Sequence, residues 1–246
     1  MKPRNLTTET KFQPFKHLVQ DIFPTPLLRG EINLLHAFVA EDCRELIEEI
    51  KKVEDDPRRY YTTYFHQEIN QKLYKMSWYN AFANQIKDTY ISFIQGAWGR
   101  KVDHLSRHDI HLCAWASVWQ EGLTHSYHNH QDSFMSGTYY PANEDGQGIK
   151  FMSPHIQSQF GYTTGGADPF SIGQNCFAVG ESSAHTEMIV KPITGETLMW
   201  PSPMMHTVEE QDGEYDRVAI SFNLKHNDPI SHNEEGEDLS YEFLQY

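Results

Sequence analysis

The segment His125–Pro141, "HSYHNHQDSFMSGTYYP", places three histidines within six residues, then an aspartate, then a run with the composition of a strand. "FMSGTYYP" is aromatic-rich, and turn-forming residues precede it, so it reads as extended chain. Residues two apart on a strand share a face. His128 and His130 meet that condition, and so do His130 and Asp132. Such a pair supplies two ligands to one metal centre and leaves a third to a distant segment. A solvated loop of histidines is the competing reading of the same residues.

Working outward, "HLCAWASVWQ", "GIKFMSP", "EMIVKPI", "TLMWPSP" and "RVAISFNLKH" have the same short, β-branched and aromatic character. Turn signals separate them: "EGLTH", "NEDGQG", "TTGGADP", "TGE" and "QDGEYD". This pattern predicts a mainly β chain, an antiparallel sandwich or barrel, from about residue 109 to 226. Upstream, apolar residues at Phe38, Val39, Cys43, Leu46, Ile47 and Ile50 recur with helical spacing. "WYNAFANQIKDTYISFIQGAWG" predicts a second helix closed near Gly99, so the helices occupy about residues 36–99 and brace a sheet. Between them "PRRYYTTYFHQEINQKLY" has no period and reads as a loop, one that could close over a substrate. The Gly-rich 161–174 segment reads as a second long loop. Residues 1–20 are a polar lead-in, 21–228 a single domain, and 229–246 an acidic tail.

Composition narrows the partners. The chain has 246 residues, 39% hydrophobic, with a net charge of −14. That acidity argues against a nucleic acid or an anionic membrane surface as the main partner. No 18-residue apolar run exists to span a membrane, and the N-terminus lacks an apolar signal core, so a cytoplasmic location is expected. Cys43, Cys113 and Cys176 are few, odd in number and far apart, and read as buried free thiols. His125, His155 and His185, like His104, His108 and His111, read as surface residues. The many Trp and Tyr residues read as core.

A third ligand is available in "MWPSPMMHTVEE", where His206 lies 76 residues beyond His130 and opens a new strand after a Pro-punctuated turn. Eleven residues later Arg217 starts "RVAISFNL". Alternation puts Val218, Ile220, Phe222 and Leu224 on a core face, and Arg217, Ala219, Ser221 and Asn223 on the other. An Arg inside such a strand needs an anion, and an Arg with a Ser four residues on suits a carboxylate.

These blocks together resemble a known family. "HNHQDSFMSGTYYP", "GIKFMSP", "KPITGETLMWPSPMMHTVEE" and "RVAISFNL" are similar to the 2-oxoglutarate–Fe(II) oxygenases that read H-x-H-P-x-S-x-x-S-G-x-Y-Y, K-P-x-x-G-x-x-x-x-F-P-S, a later His, then R-x-x-x-S-F-N. "FPTPL" and "CAWASVW" extend the likeness over roughly residues 20–225. Members occur in bacteria and tailed phages, which implies the cytoplasm of a bacterium or of a phage-infected host. The resemblance implies a double-stranded β-helix of the jelly-roll or cupin-like kind, eight strands in two sheets, with N-terminal supporting helices. It implies Fe(II), 2-oxoglutarate and O2 as cofactor and cosubstrates. Hydroxylation of a C–H bond on a protein side chain or small molecule would release succinate and CO2. His128 and His206 would hold the metal with His130 as third ligand; Asp132 is the carboxylate alternative, and a third reading leaves only the two histidines. Arg217 would bind the distal carboxylate of 2-oxoglutarate, with Ser221, Tyr140, Ser136 and Thr138 around it. Three departures from the pattern are Gln131 for Pro, Trp200 for Phe, and His130 where related oxygenases carry a carboxylate. The substrate is open, and a homodimer is allowed. Two alternatives stand beside this reading: a cupin-like metal enzyme that does not use 2-oxoglutarate, and a non-enzymatic jelly roll.

Overall fold

The structure, a computed structural model, describes residues 4–6, 17–19, 25–53, 60–97, 106–152, 187–208, 210 and 215–226. The 161–174 segment, Gly99, His104, His155, Cys176, His185 and the acidic tail lie outside them. A short pair, β1 (Arg4–Leu6) and β2 (His17–Val19), precedes β3 (Leu28–Glu31) and helix α1 (His36–Lys51). Next come β4 (Tyr61–Thr62), a 3-10 turn (Thr63–Phe65), α2 (Gln67–Leu73) and α3 (Tyr79–Ala97). The described strands that follow are β5 (Ile110–Trp119), β6 (His125–His128), β7 (Met135–Ala142), β8 (Ile149–Met152), β9 (Glu187–Val190), β10 (Glu196–Pro201), β11 (His206–Val208) and β12 (Arg217–His226).

Those last eight strands divide evenly between two antiparallel sheets. The larger sheet has the order β3-β10-β7-β12-β5-β4, so four strands of the eight are flanked by two N-terminal edge strands. The smaller has the order β6-β11-β8-β9. Apart from β8 and β9, which pair with each other in the smaller sheet, successive strands of these eight alternate between the sheets, which is the double-stranded β-helix the motif order implied.

The helices cover one face of the large sheet. Val39, Ala40, Cys43, Leu46, Ile47 and Ile50 of α1 are buried, and α1 contacts β5, β7 and β12. Phe38, grouped with that stripe by spacing, is instead 51% exposed, and Ala40 takes the inward place. Against these residues lie Val218, Ile220, Phe222 and Leu224 of β12, all fully buried. Burial of each such side chain stabilises the fold by roughly 1.5–3 kcal/mol. "TYY" is divided by the same alternation. Tyr139 faces the helices, where its hydroxyl meets His36 Nδ1 at 2.6 Å, while Tyr140 faces the interior between the sheets. Gly137 is required by close packing: a Cβ there would lie 2.4 Å from the Phe222 ring and 2.6 Å from the Leu198 carbonyl oxygen.

Two expectations are corrected. The stretch read as a loop contains β4, the 3-10 turn and α2, held by side-chain hydrogen bonds rather than by an apolar period. Ala116 N–H donates to Thr63 Oγ1 at 3.0 Å and Thr62 Oγ1 donates to the Ala116 carbonyl at 3.2 Å, which pins the turn to β5. Cys113 is exposed, unlike the buried Cys43, because it occupies the polar alternation of β5. No described helix is long and apolar enough to cross a membrane.

Candidate metal and cosubstrate site

Strand pairing assembles the site. β11 pairs with β6 so that His206 is directly opposite His128. His130 is not on a strand; it lies two residues past the end of β6, where its backbone N–H donates to the Ser202 carbonyl at 3.0 Å. One ring nitrogen from each of His128, His130 and His206 lies within 4.8 Å of the others, a group able to hold a metal ion. The rings of His128 and His206 are 4.2 Å apart, and those of His130 and His206 5.4 Å.

The orientation of each imidazole is set from behind. His128 Nδ1 meets the Ser126 carbonyl at 2.9 Å, and His206 Nδ1 meets the Met204 carbonyl at 2.9 Å. A carbonyl only accepts, so both Nδ1 atoms carry the proton and both Nε2 lone pairs are free for a metal. His130 Nδ1 lies 3.4 Å from the side-chain amide of Asn223. Burial lowers the pKa of all three: His206 to about 3, His130 to about 4, and His128 below its usual value. The rings are therefore neutral near pH 7, the state that binds metal.

Asp132 is not brought to this cluster. Its carboxylate is largely exposed and pairs with Lys225 Nζ at 2.8 Å, which holds its pKa below the usual range. Among the described residues, no carboxylate joins the three histidines.

Arg217 is the opposite case, a cation taken fully inside. It is 2% exposed, and register pairs it with Trp119 of β5. Its guanidinium lies 4.8 Å from the Trp119 ring centre and 5.9 Å from that of Tyr140, and one long bond of 3.5 Å reaches the Gly148 carbonyl. Its Nε has no hydrogen-bond partner among the described residues. Desolvation lowers its pKa to about 10. A buried guanidinium with a free N–H and, among the described residues, no carboxylate beside it is a receptor for an anion.

Register places the flanking hydroxyls. Ser221 pairs with Thr138 across β12 and β7, and their hydroxyls are 3.3 Å apart. Tyr140, fully buried, has its pKa raised to about 12 by desolvation, which keeps the phenol protonated and a donor. Arg217, Tyr140, Thr138, Ser221, His128, His130 and His206 all line one cavity of about 270 Å³. Ser136 does not line it. Its hydroxyl bonds to Ser202 Oγ at 2.8 Å and to the Asn223 amide at 2.7 Å, behind His130. The residue grouped with the cosubstrate set by its face thus supports a histidine instead.

Several cavity residues were missed by sequence. His125, read as surface, is half-buried and packs its ring 4.0 Å from that of His128. Trp115 and Trp119 also line the cavity, although Trp and Tyr residues read as core, and Tyr60, Tyr64 and Phe65 line it from the segment read as a loop able to close over a substrate. For Trp115 and Trp119 a signal existed: they alternate with Ala114, Ala116 and Val118 on β5 and so point away from the helices.

Residues 113–223 match the family model described as "Putative 2OG-Fe(II) oxygenase". No curated protein sequence matches the chain. Among solved structures, the chain is similar to the non-heme alpha ketoglutarate dependent carbocyclase SnoK from nogalamycin biosynthesis. That likeness has 9% identity and a TM-score of 0.51, over 83% of this chain and 81% of that one. The epimerase SnoN from the same biosynthesis gives 9% identity and a TM-score of 0.50, over 82% and 78%. A Pseudomonas putida prolyl-4-hydroxylase gives 12% identity and a TM-score of 0.48, over 82% and 94%. At the first two scores the likeness is one of fold, the double-stranded β-helix. The family match sets aside the cupin-like enzyme without 2-oxoglutarate and the non-enzymatic jelly roll. Over its β core, residues 113–223, this chain is similar to the 2-oxoglutarate–Fe(II) oxygenase family.

Proposed function

We propose that this protein binds Fe(II) through Nε2 of His128, His130 and His206, seats the distal carboxylate of 2-oxoglutarate on Arg217, and hydroxylates a C–H bond of a small molecule or a protein side chain. The observation that carries this reading is the buried guanidinium of Arg217, its Nε without a hydrogen-bond partner among the described residues, lining the same cavity as the three imidazoles. A three-imidazole set fits Fe(II), since imidazole suits divalent iron and a facial arrangement leaves positions open. When bound, the iron supplies activation of O2 coupled to oxidative decarboxylation of 2-oxoglutarate, so that substrate, O2 and 2-oxoglutarate give hydroxylated product, succinate and CO2. The chain's own part is positional. Arg217 donates two parallel hydrogen bonds to the distal carboxylate. Tyr140 and Thr138 add donors at the same end, and the Trp119 ring keeps water from the guanidinium. Ser126 and Met204 carbonyls hold two ligand rings in the metal-binding tautomer.

The test is anaerobic thermal stability with Mn(II), then with added 2-oxoglutarate, on the wild type and on His128→Ala, His130→Ala, His206→Ala and Asp132→Ala. A ligand that binds only the folded chain raises its stability by simple linkage. Each His variant should lose the Mn(II) shift, and Asp132→Ala should keep it. A wild-type protein indifferent to both additions would sink the reading, and an Asp132→Ala variant that alone loses the metal would replace the three-histidine set.

A further inference from the structure

Tyr64 and Phe65 are large aromatics left at the surface, 55% and 76% exposed, at the mouth of the cavity just described. They are not carried by a loose segment. The 3-10 turn that bears them is closed at its start by Tyr64 N–H donating to Thr62 Oγ1 at 3.2 Å, and it is tied to β5 through Thr63 and Ala116. Asn70 of α2 bonds Thr63 Oγ1 and also donates to the Ala114 carbonyl at 3.1 Å, so the turn is anchored from both sides. Tyr64 meets Phe65 edge-on at 5.0 Å and Trp115 edge-on at 5.0 Å, and Trp115 lies 5.9 Å from the His130 ring. An unbroken line of rings therefore runs from solvent to the metal-binding group.

The remaining lining limits what that line can recognise. Arg217 is the only charged side chain among the described cavity residues, and it sits at the buried end. Several polar groups of the lining are already engaged within the protein. Ser117 Oγ donates to Thr62 Oγ1 at 3.1 Å, Asn129 Nδ2 donates to the Pro203 carbonyl at 3.3 Å, and the Tyr60 hydroxyl meets His125 Nε2 at 3.5 Å. A charged group entering here would lose water and meet no counter-charge among the described residues of the mouth. A polyol would find few free donors or acceptors. A flat uncharged ring would bury area against Tyr64, Phe65 and Trp115 and meet them edge-on or offset.

We infer that the substrate of this enzyme presents an uncharged aromatic ring, and that Tyr64, Phe65 and Trp115 seat it beside the metal. This rests on the proposed metal and 2-oxoglutarate site. The test uses Mn(II)-loaded, 2-oxoglutarate-bound protein and measures paramagnetic relaxation of the protons of three probes: N-acetyltryptophanamide, N-acetyllysinamide and methyl glucoside. The indole protons should relax strongly and the other two probes weakly. The double variant Tyr64→Ala/Phe65→Ala should bind N-acetyltryptophanamide roughly tenfold more weakly, the scale expected for losing two ring contacts. Tyr64→Phe keeps the ring and should keep the affinity. In both variants the thermal shift with 2-oxoglutarate should be unchanged, which separates this site from the cosubstrate end. Equal relaxation of the lysine or glucoside probe, or an unaltered tryptophanamide affinity in the double variant, would overturn the inference. Failure of 2-oxoglutarate to stabilise the wild type would instead refute the parent reading. Saturation transfer from metal-free protein to the same probes decides the ring preference in that event.

Discussion

Replacing Arg217 with Met separates stability from cosubstrate binding. In the ligand-free protein the guanidinium is 2% exposed, and burial lowers its pKa from 12.5 to about 10. At 1.36 kcal/mol per pH unit, that difference corresponds to about 3 kcal/mol against the charged form in the folded state. The residue is fully buried, so solvent screening reduces this little. Against it stand the Trp119 and Tyr140 rings, worth about 1–2 kcal/mol together, and one long bond to the Gly148 carbonyl. The net is a cost of about 1–2 kcal/mol that Met, of similar length and apolar, does not carry. Arg217→Met should therefore leave the ligand-free protein as stable as the wild type or raise Tm by about 2–6 °C. The sign with pH follows. A base whose folded pKa is depressed carries its full penalty at any pH below that value, so the difference between the two proteins should be flat from pH 6 to 9 and shrink as pH climbs past about 10.

With 2-oxoglutarate present the order reverses. At a hundredfold excess over Kd the wild type gains about 3 kcal/mol from ligand linkage. Losing a buried, doubly hydrogen-bonded charge pair costs about 2–5 kcal/mol, enough to raise Kd roughly a hundredfold. At the same concentration the variant should then gain less than about 0.5 kcal/mol. The assay is paired thermal melts of Mn(II)-loaded wild type and variant, with and without 2-oxoglutarate. Two results would refute the reasoning: a ligand-free variant destabilised by 3 kcal/mol or more, which would make Arg217 a structural residue, or a variant that keeps the wild-type cosubstrate shift.

Other perturbations reach parts of the site that touch no ligand. Asn223→Ala removes the amide behind His130 and should weaken Mn(II) binding about 10–100-fold while leaving the melt of the metal-free protein nearly unchanged, read by titration calorimetry; an unchanged affinity would show that His130 needs no orienting partner. Gly137→Ala forces a methyl against the Phe222 ring and the Leu198 carbonyl, and should cost about 1–3 kcal/mol in urea denaturation; a neutral result would mean β7 and β10 can separate freely. Glu196, bound by Arg29 through two hydrogen bonds at 2.6 and 2.8 Å, has its pKa held low mainly by that contact. Its contribution is present above the unfolded carboxylate pKa and lost as pH falls through the lower folded value. Glu196→Gln should accordingly be destabilised at pH 7 and converge on the wild type as melts are carried to acid below the lowered folded value; a gap that persists in acid would exclude the ion pair as its cause.

The strands were legible because a half-buried strand writes its burial with a period of two. "RVAISFNL" shows its core face without help from any neighbour, and β12 lies as that alternation says. The 3-10 turn and α2 were illegible because hydroxyl and amide contacts to β5, supplied from more than 40 positions away, hold them, and no local period records such contacts. The choice among His130, Asp132 and neither was open for a related reason: the sequence places both residues after the same strand, and only a third element can sort them. That element is β12. Asn223 reaches the ring of His130, and Lys225, two residues further on the same face, takes the carboxylate of Asp132 out to the surface. One strand thus carries the anion receptor at Arg217, the prop for one imidazole, and the lysine that withdraws the competing carboxylate. A site of three neutral imidazoles leaves the full double charge of Fe(II) to be met by what binds there. In the proposed site one carboxylate of 2-oxoglutarate would offset a single charge at the metal and the other the charge of Arg217, so the lack of a carboxylate beside the histidines and beside Arg217 among the described residues fits one and the same ligand.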